Sequence, residues 1–156
     1  MEHIFQTSFD LPLPIGQVFN FFSDAANLEK ITPPELSFSI DTPPPIIIQK
    51  GTLIDYKLKL WGIPFSWRTE ISHWEPPIMF IDQQISGPYH TWIHTHRFEE
   101  IDGHTRISDE VRHRLPFWPL GDIAYPIIRA QINRIFTFRE NAIKTFFKHI
   151  IESEDK

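Results

Sequence analysis

The dipeptide Asp102-Gly103 stands between two stretches of alternating apolar and polar side chains and constrains the fold more than any other feature. A two-residue type I′ turn requires positive φ at both central positions, and Asp-Gly is one of the few pairs that meet this need. Such a turn pairs Ile101 with His104. In the same register, His96 faces Asp109 farther along the two strands. The sequence therefore predicts an antiparallel hairpin whose register is fixed.

One face of this hairpin is apolar and yet carries ionisable side chains. Successive side chains of a strand point to opposite faces. The apolar face is formed by Trp92, His94, His96, Phe98, Ile107, Asp109, Val111, His113 and Leu115. The other face is rich in Arg, Glu, Thr and Ser, which is typical of a solvated surface. Polar groups on a core-facing surface are costly unless they are satisfied, so this face predicts a cavity with a polar lining.

Length and composition bound the class of protein. At 156 residues the chain most simply forms one domain, expected at residues 1–151 with a polar tail at residues 152–156. A formal charge of −5 without a block of Lys or Arg argues against nucleic acid as a partner. The absence of cysteine excludes disulfides and Cys-ligated zinc. Without a signal-peptide pattern or a membrane-spanning apolar run, we expect a cytoplasmic protein.

The periodicity of apolar residues predicts the remaining elements. In order, they are a strand at residues 2–10, short helices at 14–22 and 24–31, a strand at 36–40, and a meander of strands from residue 51 that turns near Trp61-Gly62. After Leu115 the period changes from 2 to 3.6, and Asp122 is expected to cap a helix from Ile123 to about Ile151. The predicted apolar stripe of this helix includes Phe146. We expect an α+β fold in which an antiparallel sheet of about six or seven strands wraps around this helix.

Four segments of the chain resemble a known family. They are Gly87–Phe98, Asp109–Val111, Leu115–Gly121 and Phe138-Arg139. With the order of elements along the whole chain, they resemble the START-like (SRPBCC) superfamily with the helix-grip fold, in its bacterial ligand-binding, polyketide cyclase/dehydrase-like branch. Trp118 stands where that branch often has glycine, and His113 where it often has tyrosine. Pro43–Pro45 replaces the glycine-rich loop of the related pollen allergens.

The resemblance implies a small hydrophobic ligand in an internal cavity between the sheet and the C-terminal helix. It also implies an epimerase-like protein partner, because some members of the branch are fused to or encoded with short-chain epimerase-like proteins. No cofactor is expected. The superfamily includes lipid transfer, hormone sensing, polyketide cyclisation and plain binding, so the fold alone leaves the function open.

His96 and Asp109 are the candidate catalytic residues. An imidazole oriented by a carboxylate is suited to abstract a proton from an enolisable ligand, as a cyclase or dehydratase requires. The pair is equally suited to satisfy itself inside a sheet as a structural contact. A third hypothesis is metal ligation together with His94 and His113. The chain lacks thiols and His-Glu-x-x-His spacing, so we predict that no metal is tightly bound.

The candidate ligand-binding residues combine aromatic and polar side chains. They are Tyr56, Trp67, Trp92, His94, His113, Gln131 and Arg139. Arg139 lies near the centre of the apolar stripe of the predicted helix. In one interpretation its stem covers the core while the guanidinium reaches water; in the other it enters the cavity and pairs with Asp109 or with a ligand carboxylate.

These observations leave three functional hypotheses. We favour binding of a hydrophobic ligand over a cyclase or dehydratase activity. The third hypothesis is a non-catalytic protein-interaction module that docks through the Pro- and Trp-rich segments Trp61–Pro64 or Pro116–Pro119. If a cavity is present, we expect it to open near Pro116–Gly121 and the Trp61–Pro64 hairpin tip.

Overall fold

The computed structural model describes residues 1–154 and contains one seven-stranded antiparallel sheet with a long C-terminal helix. The strands are β1 Glu2–Leu11, β2 Ser39–Ile40, β3 Leu53–Leu60, β4 Ile63–Glu75, β5 Met79–Ser86, β6 Thr91–Ile101 and β7 His104–Arg114. The helices are α1 Ile15–Phe22, α2 Leu120–Ile123 and α3 Tyr125–Glu154, with 3-10 turns at Ala25–Leu28 and Pro34–Leu36. The spatial order is β1-β7-β6-β5-β4-β3-β2. The expected α+β helix-grip architecture is confirmed.

Two hairpins have the turns that the sequence predicts. Asp102 and Gly103 have φ values of 49° and 79°, and Ile101 pairs with His104. The register continues to His96 opposite Asp109, as expected. The β3–β4 turn has the same form, with Trp61 at φ 51° and Gly62 at φ 77°. Positive φ at both central residues matches the right-handed twist of the flanking strands and keeps them paired.

The two ends of the sheet differ in what covers them. One end carries α1, whose Phe19 contacts Phe80 and Phe98 edge to face and so fills the core there. At the other end, Thr91 and Glu2 both pair with Arg114. That end therefore gathers the β3–β4 turn, the β5–β6 connection and the linker from β7 to α3. Of these three segments, the β5–β6 connection contributes Tyr89 to the wall of the space between sheet and α3.

The boundaries of the helical segments differ from those expected. Asp122 does not cap the long helix but lies in α2, and its carboxylate contacts His3 at 3.1 Å. This tertiary partner replaces the local capping bond, and the chain breaks at Ala124 before α3. The helix predicted at residues 24–31 is instead one 3-10 turn at Ala25–Leu28. A further 3-10 turn at Pro34–Leu36 shortens the expected strand at residues 36–40 to β2.

The predicted tail at residues 152–156 is only partly a tail. Helix α3 continues through Glu154, and residues 155–156 lie outside the described residues. Near this end, the apolar stripe also differs from the prediction, since Phe147 is buried and Phe146 is 42% exposed. Phe147 packs against Phe21 of α1 with ring centroids 5.1 Å apart. Phe146 also contacts Phe21, at 4.7 Å, so this contact does not decide which ring is buried. Phe147 lies four residues after the buried Ile143 and shares its face of α3.

Candidate functional site

A cavity of about 150 Å³ lies between the sheet and α3. Its lining is mostly apolar and aromatic, and it includes the predicted residues Tyr56, Trp67, Trp92, His94 and Arg139. Trp67 and Trp92 meet edge to face with centroids 5.5 Å apart, and Tyr56 stacks on Trp67 at 5.7 Å. Such aromatic contacts hold large side chains in fixed positions. The cavity thus has a rigid aromatic wall.

A cluster of two imidazoles and two carboxylates forms the polar part of this wall. It consists of Asp82 on β5, His94 and His96 on β6, and Asp109 on β7. We call these four residues the His–Asp cluster. Asp82, His94 and His96 line the cavity, whereas Asp109 lies behind them. All but Asp82 are at most 5% exposed, so water screens their interactions weakly.

The shortest contacts of the cluster alternate between the two carboxylates. His94 Nε2 lies 2.7 Å from Asp109 Oδ1, and His96 Nε2 lies 2.7 Å from Asp82 Oδ2. His96 Nδ1 is 3.1 Å from Asp109 Oδ1 but is not aligned for a hydrogen bond. His94 Nδ1 is 3.6 Å from Asp82 Oδ2. The predicted contact between His96 and Asp109 is present, but the hydrogen bond of Asp109 goes to His94.

Both carboxylates of the cluster remain ionised. Burial raises the pKa of Asp109 and of Asp82, but the neighbouring imidazoles outweigh it and the pKa of each lies below its ordinary value. The hydrogen bond from His94 and the close contact with His96 lower the pKa of Asp109. The positive charge of Arg139 adds to the effect on Asp82.

The two imidazoles are shifted in opposite directions. Burial and the positive charge of His96 lower the pKa of His94, which the two carboxylates offset only in part. Burial also opposes the charged form of His96, but its contacts with Asp109 and Asp82 prevail and raise its pKa. His94 therefore gives up its proton at a lower pH than His96 does. In neutral His94 the Nε2–H donates to Asp109, which leaves Nδ1 without a proton.

Arg139 points into the cavity, as one of the two interpretations of the sequence predicts. Its guanidinium lies 5.0 Å from the centroid of the Phe136 ring. Its Nε is buried and has no hydrogen-bond acceptor among residues 1–154. The predicted ion pair with Asp109 is wrong, because the contacts of that carboxylate within the described chain go to His94 and His96. Arg139 thus offers an unused donor to the cavity.

Two predicted ligand-binding residues lie outside the lining of this cavity. His113 is 1% exposed and packs among Tyr89, Trp92 and His3, because its position near the end of β7 places it beyond the cavity wall. Burial, with the repulsion of His3, lowers its pKa to about 4. Gln131 is only partly buried, because it lies at the edge of the apolar stripe of α3. Ile132 and Phe136 form the buried centre of that stripe. These two expectations are corrected accordingly.

Asp82 and Tyr89 line the cavity but were not among the predicted site residues. Asp82 pairs with His94 across β5 and β6. The alternation of Phe80 and Asp82 indicates a shared face, but the connection between β5 and β6 is not a two-residue turn, so its register could not be derived. Tyr89 lies within this connection, where the Gln84 amide donates to its carbonyl at 2.8 Å.

The end of the sheet away from α1 exposes several large apolar side chains. They are Trp61, Ile63, Phe117, Trp118, Leu120, Ile123 and Ile127, each more than half exposed. Five of them lie in the two segments at which the cavity was expected to open, and Ile123 and Ile127 follow in α2 and α3. Among the described residues, no helix has both the length and the apolarity that a membrane span requires.

Comparison with known families gives one match that covers most of the chain. The family described as polyketide cyclase/dehydrase and lipid transport matches residues 11–137. No curated protein matches the chain closely enough in sequence to count as a relative.

Several solved structures share the fold. The ZhuI aromatase/cyclase from Streptomyces sp. R1128 is 14% identical, with 97% of this chain and 96% of that chain covered and a TM-score of 0.74. A START superfamily protein from Mycobacterium smegmatis is 9% identical, with 95% and 99% covered and a TM-score of 0.72. A nucleoside-diphosphate sugar epimerase from Corynebacterium glutamicum is 20% identical over 97% of this chain and 30% of that chain, with a TM-score of 0.67. At these identities the likeness shows the fold alone.

Proposed function

Because this chain belongs to the polyketide cyclase/dehydrase and lipid transport family, we propose that it binds a small, mostly hydrophobic molecule in the cavity between its sheet and α3. The observation that carries the proposal is the lining itself. It is apolar and aromatic over most of its surface, with polar groups gathered at one place. Ligand sites typically combine an apolar enclosure with a few polar groups that fix orientation.

The size of the cavity limits the ligand. A closed apolar cavity of about 150 Å³ is known to accept a molecule of the size of benzene. The cavity of this protein has the same volume. In this conformation it therefore suits a ligand built on one aromatic ring, or an aliphatic group of similar size, rather than a multi-ring polyketide.

The unused donors of the lining indicate the polar part of the ligand. Trp67 Nε1 and Arg139 Nε are buried and have no acceptor among the described residues. A buried donor without a partner is costly, and an oxygen of the ligand would remove that cost. Arg139 also supplies a positive charge. We therefore propose an aromatic carboxylate or carbonyl compound as the ligand class.

Binding is tested with phenylacetate against its neutral analogue phenylacetamide, by calorimetry and by quenching of tryptophan fluorescence. We expect phenylacetate to bind and Leu58→Trp, which places an indole into the cavity, to abolish binding. Leu53→Trp is the matched control, because Leu53 lies on the same strand but is 48% exposed and outside the lining. A folded Leu58→Trp variant that binds as the wild type does would overturn the cavity as the binding site. Mass spectrometry of ligands that co-purify with the protein would extend the test beyond this probe.

A cyclase- or dehydratase-type enzyme is the second candidate. The observation that favours it is the orientation of His94, whose Nε2–H donates to Asp109 while Nδ1 faces Asp82 at the cavity wall. An imidazole held in one tautomer by a carboxylate is a suitable general base. In this candidate His94 takes the role that the sequence suggested for His96, and Asp109 keeps the orienting role.

Catalysis is tested through exchange of the α-protons of aryl methyl ketones for deuterium, followed by NMR. An enzyme of this type accelerates the exchange, and Asp109→Asn slows it while binding persists, because the amide no longer favours the reactive tautomer. Binding without acceleration would leave the protein a binder. That result would remove the enzymatic candidate and leave the first proposal intact.

Two further expectations stay predictions. An epimerase-like partner, implied by family resemblance, is supported only by the shared fold of one part of the Corynebacterium protein. The exposed apolar side chains at Trp61 and Trp118 are consistent with docking of a protein partner. A cytoplasmic location is likewise a prediction from the sequence, for which fractionation of cells is the measurement.

A further inference from the structure

Three side chains of the His–Asp cluster direct possible metal ligands at one point. Ligand atoms of Asp82, His94 and His96 all lie within 4.8 Å of one another. Asp82 Oδ2 is 2.7 Å from His96 Nε2 and 3.6 Å from His94 Nδ1. Ligands bound at about 2.1 Å to one ion stand roughly 3 to 3.5 Å apart. The observed separations therefore bracket those of a mononuclear metal centre.

The far side of His94 carries the hydrogen bond that metal-binding histidines typically make, and the far side of His96 lies close to the same carboxylate. His94 Nε2 is hydrogen-bonded to Asp109, and His96 Nδ1 faces the same carboxylate oxygen at 3.1 Å. A carboxylate in this position fixes the tautomer of a ligating histidine and raises its basicity. One aspartate thus orients two candidate ligands, and both direct their other nitrogen towards Asp82.

The chemistry of the donors selects the ion. Two imidazole nitrogens and one carboxylate oxygen suit divalent transition metals such as Zn²⁺, Fe²⁺ and Co²⁺. Mg²⁺ and Ca²⁺ prefer oxygen ligands only. The three residues also line the cavity, so further coordination positions would face the space proposed for the ligand. Three protein ligands with open positions are typical of metal sites that contact a substrate.

We propose that Asp82, His94 and His96 form a binding site for one divalent transition-metal ion on the cavity wall, with Asp109 orienting both histidines. This inference departs from the absence of a tightly bound metal that the sequence predicted. It does not depend on the proposed organic ligand, because the metal alone is the probe.

The site is tested by titrating chelator-treated protein with Co²⁺, with visible absorption and calorimetry as readouts. The starting protein carries His73→Gln, which removes the exposed pair of His73 and Glu75 as a competing surface site. We expect one equivalent of Co²⁺ with d–d absorption bands, unaffected by excess Mg²⁺. Zn²⁺ should shift the ring resonances of His94 and His96 in NMR spectra of the same protein.

Variants separate the proposed ligands from the rest of the chain. Asp82→Asn should abolish stoichiometric binding, and Asp109→Asn should weaken it about 10- to 100-fold, as expected for a residue that orients ligands. His113→Gln is the control, because His113 is buried outside the cavity lining. Failure of the folded starting protein to bind Co²⁺ would overturn the proposal. So would unchanged binding by Asp82→Asn, or Zn²⁺-induced shifts confined to other histidines. None of these results bears on the binding of phenylacetate, which is tested separately.

Discussion

Asp109 and His94 form a diagonal pair across β6 and β7, with 2.7 Å between Oδ1 and Nε2. In the strand register Asp109 faces His96, and His94 faces Val111. The carboxylate therefore bonds to the imidazole two residues from its direct partner. The Nε2 atom of His96 therefore contacts Asp82 instead. Because of the diagonal bond, each histidine has its own carboxylate partner.

Replacement of Asp109 by asparagine should destabilise the fold strongly. The change removes the buried carboxylate that accepts the hydrogen bond of His94 and favours the charged form of His96, and breaking a buried charged contact of this kind costs about 3–5 kcal/mol. Urea denaturation at pH 7 measures the free energy of unfolding.

A double-mutant cycle with His94→Gln gives the control for this prediction. The two changes should be non-additive, with a coupling energy of about 0.5–3 kcal/mol, because both remove the same bond. Additive effects would mean that Asp109 stabilises the fold through His96 instead.

His113 should make stability depend on pH. Its pKa is about 4 in the folded protein against 6.5 ordinarily. As pH falls below about 6.5, the unfolded chain takes up this proton first, so the free energy of unfolding decreases until about pH 4. One proton changes the unfolding equilibrium at most about tenfold per pH unit. The His113→Gln variant should lack this contribution, and parallel pH profiles for variant and wild type would contradict the assignment.

Replacement of Arg139 by methionine should affect binding more than stability. Methionine retains most of the stem, so the loss of the contact with Phe136 should cost only about 1 kcal/mol. Loss of the charged donor should weaken phenylacetate binding about 10- to 100-fold and leave phenylacetamide less affected. Arg129→Met, on the exposed face of the same helix, is the control. Equal binding by the Arg139→Met protein would remove the anchoring role.

Two glycine-to-alanine changes should have opposite effects. A Cβ at Gly121 would lie 2.1 Å from the carbonyl oxygen of Pro116, so Gly121→Ala must displace the linker before α3 and lower the midpoint of unfolding. A Cβ at Gly16 in α1 meets nothing within 4 Å, so Gly16→Ala should stabilise by roughly 0.5–1 kcal/mol. Thermal unfolding of both variants compares them, and a neutral Gly121→Ala would show that the linker accommodates the methyl group freely.

Hydrogen exchange should identify the mouth of the cavity. Amides in residues 61–64 and 116–121 should exchange faster than those at the centre of β6 and β7, because these segments lie mostly in turns and linkers and expose apolar side chains. Bound phenylacetate should slow their exchange. Protection equal to that of the central strands would exclude a gating role.

The sequence predicted the fold because its turns and periods are unambiguous. Asp102-Gly103 set the register of β6 and β7 without any tertiary information. The prediction failed where tertiary partners decide the local structure. Asp122 bonds to His3, a residue 119 positions away, and so does not act as the expected cap. Phe147 replaces Phe146 in the core because it shares the buried face of α3 with Ile143.

The candidate site was predicted in part for the same reason. His94, His96 and Asp109 share a face in the one hairpin whose register could be derived. Asp82 could not be assigned, since no turn signal fixes how β5 pairs with β6. Without Asp82, the sequence did not give the third ligand of the proposed metal site. It also gave only one of the two carboxylates that contact His96.

The lining of the cavity is divided according to its origin in the chain. The polar cluster comes from the three adjacent strands β5, β6 and β7, whereas Leu58, Leu60, Ile132 and Ile135 of the lining come from β3 and α3. Size and shape of the bound molecule can therefore change through substitutions that leave the reactive groups in place. Evolution can change the ligand in this way, and so can a laboratory library restricted to those four aliphatic positions. Selection from such a library would give new ligand preferences while the polar cluster stays constant.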